Sequence, residues 1–214
     1  MSQPTPHKLS RKSIDQLFSC PRVLVQFLDA CLRQESRQHF ISVLQQDAAL
    51  TVRVLQASAT TSKGPVSVEQ PLSVALERLS IDALSAIALR AAGRYLEERP
   101  DLPRSSFRQT LWHRSRGVGV AARCLAEVLV YPQVEEAQLA GMLHNIGMQL
   151  LYAQDCSNYH EKVYHPSSSS EVSSHERRAY GCDHLQMAEE LASHWRIESF
   201  LADSLRFLHH PQVE

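Results

Sequence analysis

Apolar residues in this chain recur at steps of three and four, in one segment after another, and that spacing directs it towards helices. Val23, Leu24, Phe27, Leu28 and Cys31 make one such stripe; Phe40, Ile41 and Leu44 make a second; Leu139, Met142, Leu143, Ile146 and Leu150 make a third. Residues three or four apart share one face of an α-helix, so each stripe is a surface to be buried against a neighbour. No segment of adequate length alternates with the period of two that a half-buried strand requires. The expected fold class is all-α: a helical-bundle N-terminal lobe packed on a second helical core, joined by short connections.

Punctuation residues divide the chain. The first dozen residues, with Pro4, Pro6, Lys8, Arg11 and Lys12, read as a flexible arm. Pro21 suits a first helical turn, and Asp47 is placed to cap the helix that carries Leu50, Val52, Val54 and Leu55. Small and breaking residues from Ala57 to Val66 predict a loop. Ser67 and Gln70 have capping-box spacing ahead of Leu72, Val74, Ala75 and Leu79. Ser80 and Asp82 open a further helix. Pro100 and Pro103 mark a boundary between an N-terminal lobe, residues 13–99, and a second lobe, residues 104–214, with the two packed as a single domain over 13–214. A long helix is expected over about Ser105 to Val128, and a mobile surface loop over Asp155 to Ser174, which includes the serine run Ser167 to Ser170. Asp183 can cap the helix that His184 begins, and a last helix is expected over about Glu198 to Leu208.

The most informative stretch lies inside the third stripe, in the run Glu135 to Leu151. His144 and Asn145 follow its apolar residues immediately, and Gly141 and Gly147 bracket them in mid-helix. Each such glycine costs about 1 kcal/mol relative to Ala, which points to close approach by another helix. Leu143-His144-Asn145-Ile146-Gly147 resembles the L-H-D-I-G segment of the HD superfamily, with Asn in place of Asp. Val43 to Ala57 resembles a second phrase of one branch, the HDOD domain, which reads in generic form I-x-x-D-P-A-L-T-A-R-L-L-R-L-A. Glu176 to His184 is similar to that branch's E-x-x-x-x-G-x-D-H, Trp195 closes an L-x-x-x-W match, and His209-His210 matches its paired histidines. The likeness runs from about Ser13 to the C-terminus and implies an HD-like helical core for the second lobe. Family domains continue for another helix or two, so the superfamily's final carboxylate position is expected to fall outside this chain.

In the superfamily the His-Asp doublet holds divalent metal that activates water for phosphate-ester hydrolysis, and HDOD domains are bacterial signalling proteins with degenerate metal sites. Carried over residue by residue, the resemblance places Arg114, His144, Asn145, His184, His209 and His210 around a vestigial pocket. The family reads W-x-H-S where this chain has Trp112-His113-Arg114-Ser115, so a fixed cation stands at the first ligand position. His113, one residue early, is rotated by about 100° on a helix and does not simply replace it. Asn145 removes the key anionic oxygen. His144, His184, His209 and His210 would suit zinc or nickel if any metal bound; otherwise His144 and His184 are hydrogen-bonded core histidines and the 209–210 pair is partly solvated. Glu176, beside His175 and near His184 in sequence, reads as an internal anchor for an arginine such as Arg114, Arg177 or Arg178. The specific expectation is that the Arg114 guanidinium fills the pocket with Glu176 compensating it.

The function classes follow. A net charge of −1 gives no electrostatic footprint for nucleic acid. No run of about 18 apolar residues suggests a membrane span. Cys20, Cys31, Cys124, Cys156 and Cys182 show no paired metal spacing and read as reduced thiols of a cytoplasmic protein. No glycine-rich phosphate loop is present. The expected function is a non-catalytic signal-transduction module with no cofactor, acting on a signalling protein partner or a small ligand. A metal-dependent phosphohydrolase or phosphodiesterase, with a divalent transition metal, is the alternative.

Overall fold

A computed structural model describes residues 16–61, 71–97, 103–156, 159, 169–195 and 203–204. Their regular elements are helical, with no strand among the described residues: α1 (Pro21–Arg33), α2 (Arg37–Leu44), α3 (Ala48–Ala59), α4 (Pro71–Arg78), α5 (Ile81–Glu97), α6 (Pro103–Val128), α7 (Val134–Leu143), α8 (Ile146–Gln154), α9 (Ser169–Tyr180) and α10 (His184–Trp195). The fold is all-α, as the apolar spacing requires. The arm, the Ser67–Gln70 capping box, most of the last helix and the His209–His210 pair lie outside the described residues.

Local signals placed the helix starts. Ser36 accepts a hydrogen bond from the His39 amide, and Asp47 Oδ1 accepts one from the Leu50 amide at 2.7 Å, so each caps its helix. The Asp47 carboxylate is buried and also accepts from the Cys20 amide. Burial pushes its pKa above the usual carboxylate value, opposed by the Cys20 and Leu50 amides, the Arg53 charge and Ser19. Ser80 accepts from the Ala83 amide at 3.2 Å. Pro103 opens α6, where its missing N–H is not needed.

Helix α3 is the centre. Every side chain from Ala48 to Leu55 is buried, including Thr51 and Arg53, and α3 touches α2, α4, α5, α6 and α10. A helix buried on all sides must satisfy its polar groups internally. Thr51 donates to the Leu44 carbonyl at 2.7 Å, and Arg53 donates to the Leu17 carbonyl at 2.5 Å and to Ser19 Oγ at 3.0 Å. The segment before α1 is thereby tied to α3, while the Trp112 indole N–H ties Phe18 to α6 at 2.8 Å. One cluster of buried side chains extends from Leu17 to Ala192.

Two expectations are corrected. Asp155 to Ser174 is not a loop throughout: α9 begins at Ser169, and Tyr159 is completely buried. Its ring lies 6.0 to 6.2 Å from those of Phe107, Tyr152 and Tyr180, so apolar burial anchors this polar stretch at one residue. The run from Glu135 to Leu151 is also not one helix, because it breaks at His144–Asn145 into α7 and α8.

Leu143 and Ile146 flank that break and are 0% exposed. Replacing Leu143 with Ala is expected to cost about 2–5 kcal/mol, as for other truncations of buried aliphatic side chains. Val128, at 78% exposure, is the control, with a change within about 0.5 kcal/mol. Urea unfolding of the two variants checks the assigned core, and equal midpoints would show it misplaced.

Candidate functional site

The site is built on the joint between α7 and α8. His144 remains helical at φ −52°, ψ −30°, whereas Asn145 sits at φ −109°, ψ 17°, close to the sparsely populated bridge region where functional residues often lie. His144 Nδ1 lies 2.7 Å from the Gly141 carbonyl. A carbonyl only accepts, so Nδ1 carries the proton.

Glycines let this joint seat against its neighbours. A Cβ on Gly141 would stand 2.8 Å from both Ala122 Cβ and the Val118 carbonyl oxygen of α6. A Cβ on Gly147 would stand 1.9 Å from the His184 carbonyl oxygen. The backbone of α8 therefore touches the start of α10, two residues beyond Asn145. The close approach that the glycines implied is present at both positions.

Asn145 is buried, and its carboxamide is engaged. Its Oδ1 accepts from Ser115 Oγ at 2.6 Å and from Gln149 Nε2 at 2.9 Å; Nδ2 faces the Leu111 carbonyl at 3.4 Å. Gln149 Nε2 also donates to Ser115 Oγ at 2.9 Å. All three side chains are buried. The arrangement suits an amide and does not suit a carboxylate, because Leu111 presents only an acceptor. Ser115 and Gln149 were not singled out from the sequence. The signal for Gln149 was its position one turn after Asn145, where carboxamide pairs meet.

His184 opens α10 and faces Glu176 of α9. Glu176 is completely buried; its Oε2 accepts from the His184 amide at 2.9 Å and lies 2.5 Å from His184 Nδ1. Its other oxygen accepts from the Tyr159 hydroxyl. Glu176 thus anchors a histidine and a tyrosine, which corrects the expectation that its partner is an arginine. Asp183 caps α10 by accepting from the Leu185 and Gln186 amides, its own amide donates to Gln186 Oε1, and its carboxylate pairs with Arg177. Burial first, then Asp183, Glu190 and Glu176, raise the Cys182 thiol to about 11. A thiol held there is a poor nucleophile near neutrality.

Arg114 does not fill the pocket. It is exposed on α6, although Ser115 beside it is buried. The reason is rotation: one residue turns the side chain by about 100°, and the face carrying Leu111 and Ser115 is the one against α8. Burying an arginine there would also require a paired anion, and Glu176 is already engaged. His113 is exposed on a further face.

A divalent ion of the kind used by the superfamily does not fit the described donors. Asn145 offers a neutral oxygen already engaged by two donors, Glu176 holds His184, and the first ligand position carries an exposed cation. Among the described residues, no group of three or more His, Cys, Asp or Glu side chains is placed to hold a metal.

Comparison with known proteins agrees with the helical fold. The family model described as "HDOD domain" matches residues 17–211. The chain superposes on a crystal structure of the MmoQ response regulator from Methylococcus capsulatus with a TM-score of 0.76 at 19% identity, covering 100% of this chain and 81% of that one. A virulence factor from Campylobacter jejuni gives a TM-score of 0.59 at 15% identity, covering 95% and 74%. At such identities the likeness is one of fold. No curated protein matches the sequence.

Proposed function

The chain belongs to the HDOD domain family, and we propose that it is a non-catalytic signal-transduction module working through a protein partner or a small ligand rather than hydrolysis. The observation that carries this reading is the state of Asn145. At the position where the superfamily places its metal-binding carboxylate, this chain has a buried amide locked between Ser115, Gln149 and the Leu111 carbonyl. A hard divalent ion needs anionic oxygen at that point. His144, Asn145, Glu176 and His184 are on this proposal structural remnants of a metal centre, with no cofactor. The described helices include none long and apolar enough to cross a membrane; we place the module in the cytoplasm, with its five cysteines reduced.

The test is metal content and hydrolysis together. The protein purified without added metal is expected to hold well under one equivalent of transition metal and to turn over no model phosphodiester. Asn145→Asp alone is expected to leave both results unchanged. It should also lower stability by about 1–3 kcal/mol, because a buried carboxylate would face the Leu111 carbonyl in place of a donor. Stoichiometric zinc, nickel, iron or manganese on His144 and His184, or robust phosphodiesterase turnover in either protein, would overturn the proposal in favour of a metal-dependent phosphohydrolase.

A further inference from the structure

Helix α6 presents a second feature on a different face from Ser115. Where it meets the start of α1, a cavity of about 510 Å³ opens, lined in part by Arg22, Arg108, His113 and Arg116. Among the described residues, no Asp or Glu lines it. Asp47, which follows the lining residue Gln46, is buried, and its carboxylate is committed to the Cys20 and Leu50 amides. Arg22 and Arg116 are exposed, and neither forms an ion pair with another described residue. The exposed Arg22 and Arg116 guanidinium groups face one concavity and concentrate positive potential inside it.

The planar groups here are held in place. Arg108 lies 4.8 Å from the Phe18 ring centre and 5.6 Å from that of Trp112, and the Trp112 indole is fixed by its bond to the Phe18 carbonyl. Helix α1 begins at the cavity wall, with Pro21 in its first turn and no acidic residue there, so its positive end adds to the arginines. The volume falls within the range of small-molecule sites, about 300–1,000 Å³.

We propose that this cavity binds a nucleotide. Its phosphates pair with Arg22 and Arg116, whose forked donors match phosphate oxygens, and its base lies against the planar surface of Trp112 and Arg108. This assignment deepens the ligand-binding side of the proposed function and rests on that reading, but it uses none of the remnant metal-site residues. Its failure would therefore leave the metal and hydrolysis results standing.

Calorimetric titration of the full chain at low salt, with ADP and inorganic pyrophosphate as probes, decides it. One ADP is expected to bind per chain, more tightly than pyrophosphate and more weakly as salt rises. Arg22→Gln combined with Arg116→Gln is expected to weaken ADP roughly tenfold or more, from the loss of two charge-assisted contacts. Both positions are exposed, so the melting temperature should hold. Arg114→Gln, on the same helix but outside the cavity, should bind as the parent does. The proposal is overturned if ADP shows no saturable binding up to millimolar concentration or if the double variant keeps parental affinity. It is equally overturned if pyrophosphate binds as tightly as ADP, or if a single-stranded oligonucleotide binds more tightly than the mononucleotide.

Discussion

Gly147→Ala is expected to destabilise the protein by on the order of 3 kcal/mol or more, beyond the ordinary cost of overpacking a core. The added methyl would stand 1.9 Å from the His184 carbonyl oxygen, 2.9 Å from its carbon and 3.0 Å from the Ala188 amide nitrogen. All three are backbone atoms, so no side-chain rotation relieves the overlap. Relief requires α8 and α10 to separate, and Leu150, Leu191 and Ala192 on those helices are buried. The other glycines grade the effect. Gly141→Ala meets Ala122 Cβ and the Val118 carbonyl oxygen at 2.8 Å, a lesser overlap for which a loss of about 1–3 kcal/mol is expected. Gly93 and Gly117 have nothing within 4 Å, and Ala there should be neutral or stabilising by up to about 1 kcal/mol, since it favours the helix. Urea unfolding of the four variants checks the order. If Gly147→Ala unfolds with Gly117→Ala, the α8–α10 contact is not as close as described.

That series also shows what the sequence could and could not reveal. A glycine inside an apolar helical run carries a local cost, so the presence of a close neighbour was legible at Gly141 and Gly147. Which helix supplied it was not, because α6 lies before the joint in the chain and α10 after it. Caps at Asp47 and Asp183 were legible for the same local reason: each bonds amides two or three residues ahead. The break at His144–Asn145 was hidden because Leu143 and Ile146 are both wholly buried, so the hydrophobic period runs through the bend undisturbed. Tyr159 was hidden by its polar surroundings in sequence, since one anchoring aromatic leaves no periodicity. The motif position of Arg114 does not fix its direction, because the facing of a helical side chain depends on which neighbouring residues the packing turns inward. Ser115, which matches the serine of the family's W-x-H-S, is the residue of that group that faces Asn145.

The Glu176 anchor carries the other large effect. Glu176→Ala is expected to cost about 3–5 kcal/mol, because several buried groups lose their shared acceptor at once. The substitution leaves the Tyr159 hydroxyl, the His184 amide and His184 Nδ1 without the carboxylate that now accepts from or faces them, and each buried group stripped of its partner costs about 1–3 kcal/mol. Glu176→Gln keeps one acceptor oxygen and should lose less, and Tyr159→Phe, which removes only the hydroxyl, less again. Coupling decides between partners. A double-mutant cycle of Glu176→Ala with His184→Ala should show an interaction of about 0.5–3 kcal/mol, whereas the cycle with Arg114→Ala should be additive within about 0.5 kcal/mol. Arg114→Ala alone, on an exposed face of α6, should change stability by no more than about 0.5 kcal/mol. Strong coupling of Glu176 to Arg114, with none to His184, would mean that the guanidinium enters the pocket in solution. The Asn145 network would then no longer account for the joint, since a cation beside it would favour a bound anion or a restored carboxylate at that position.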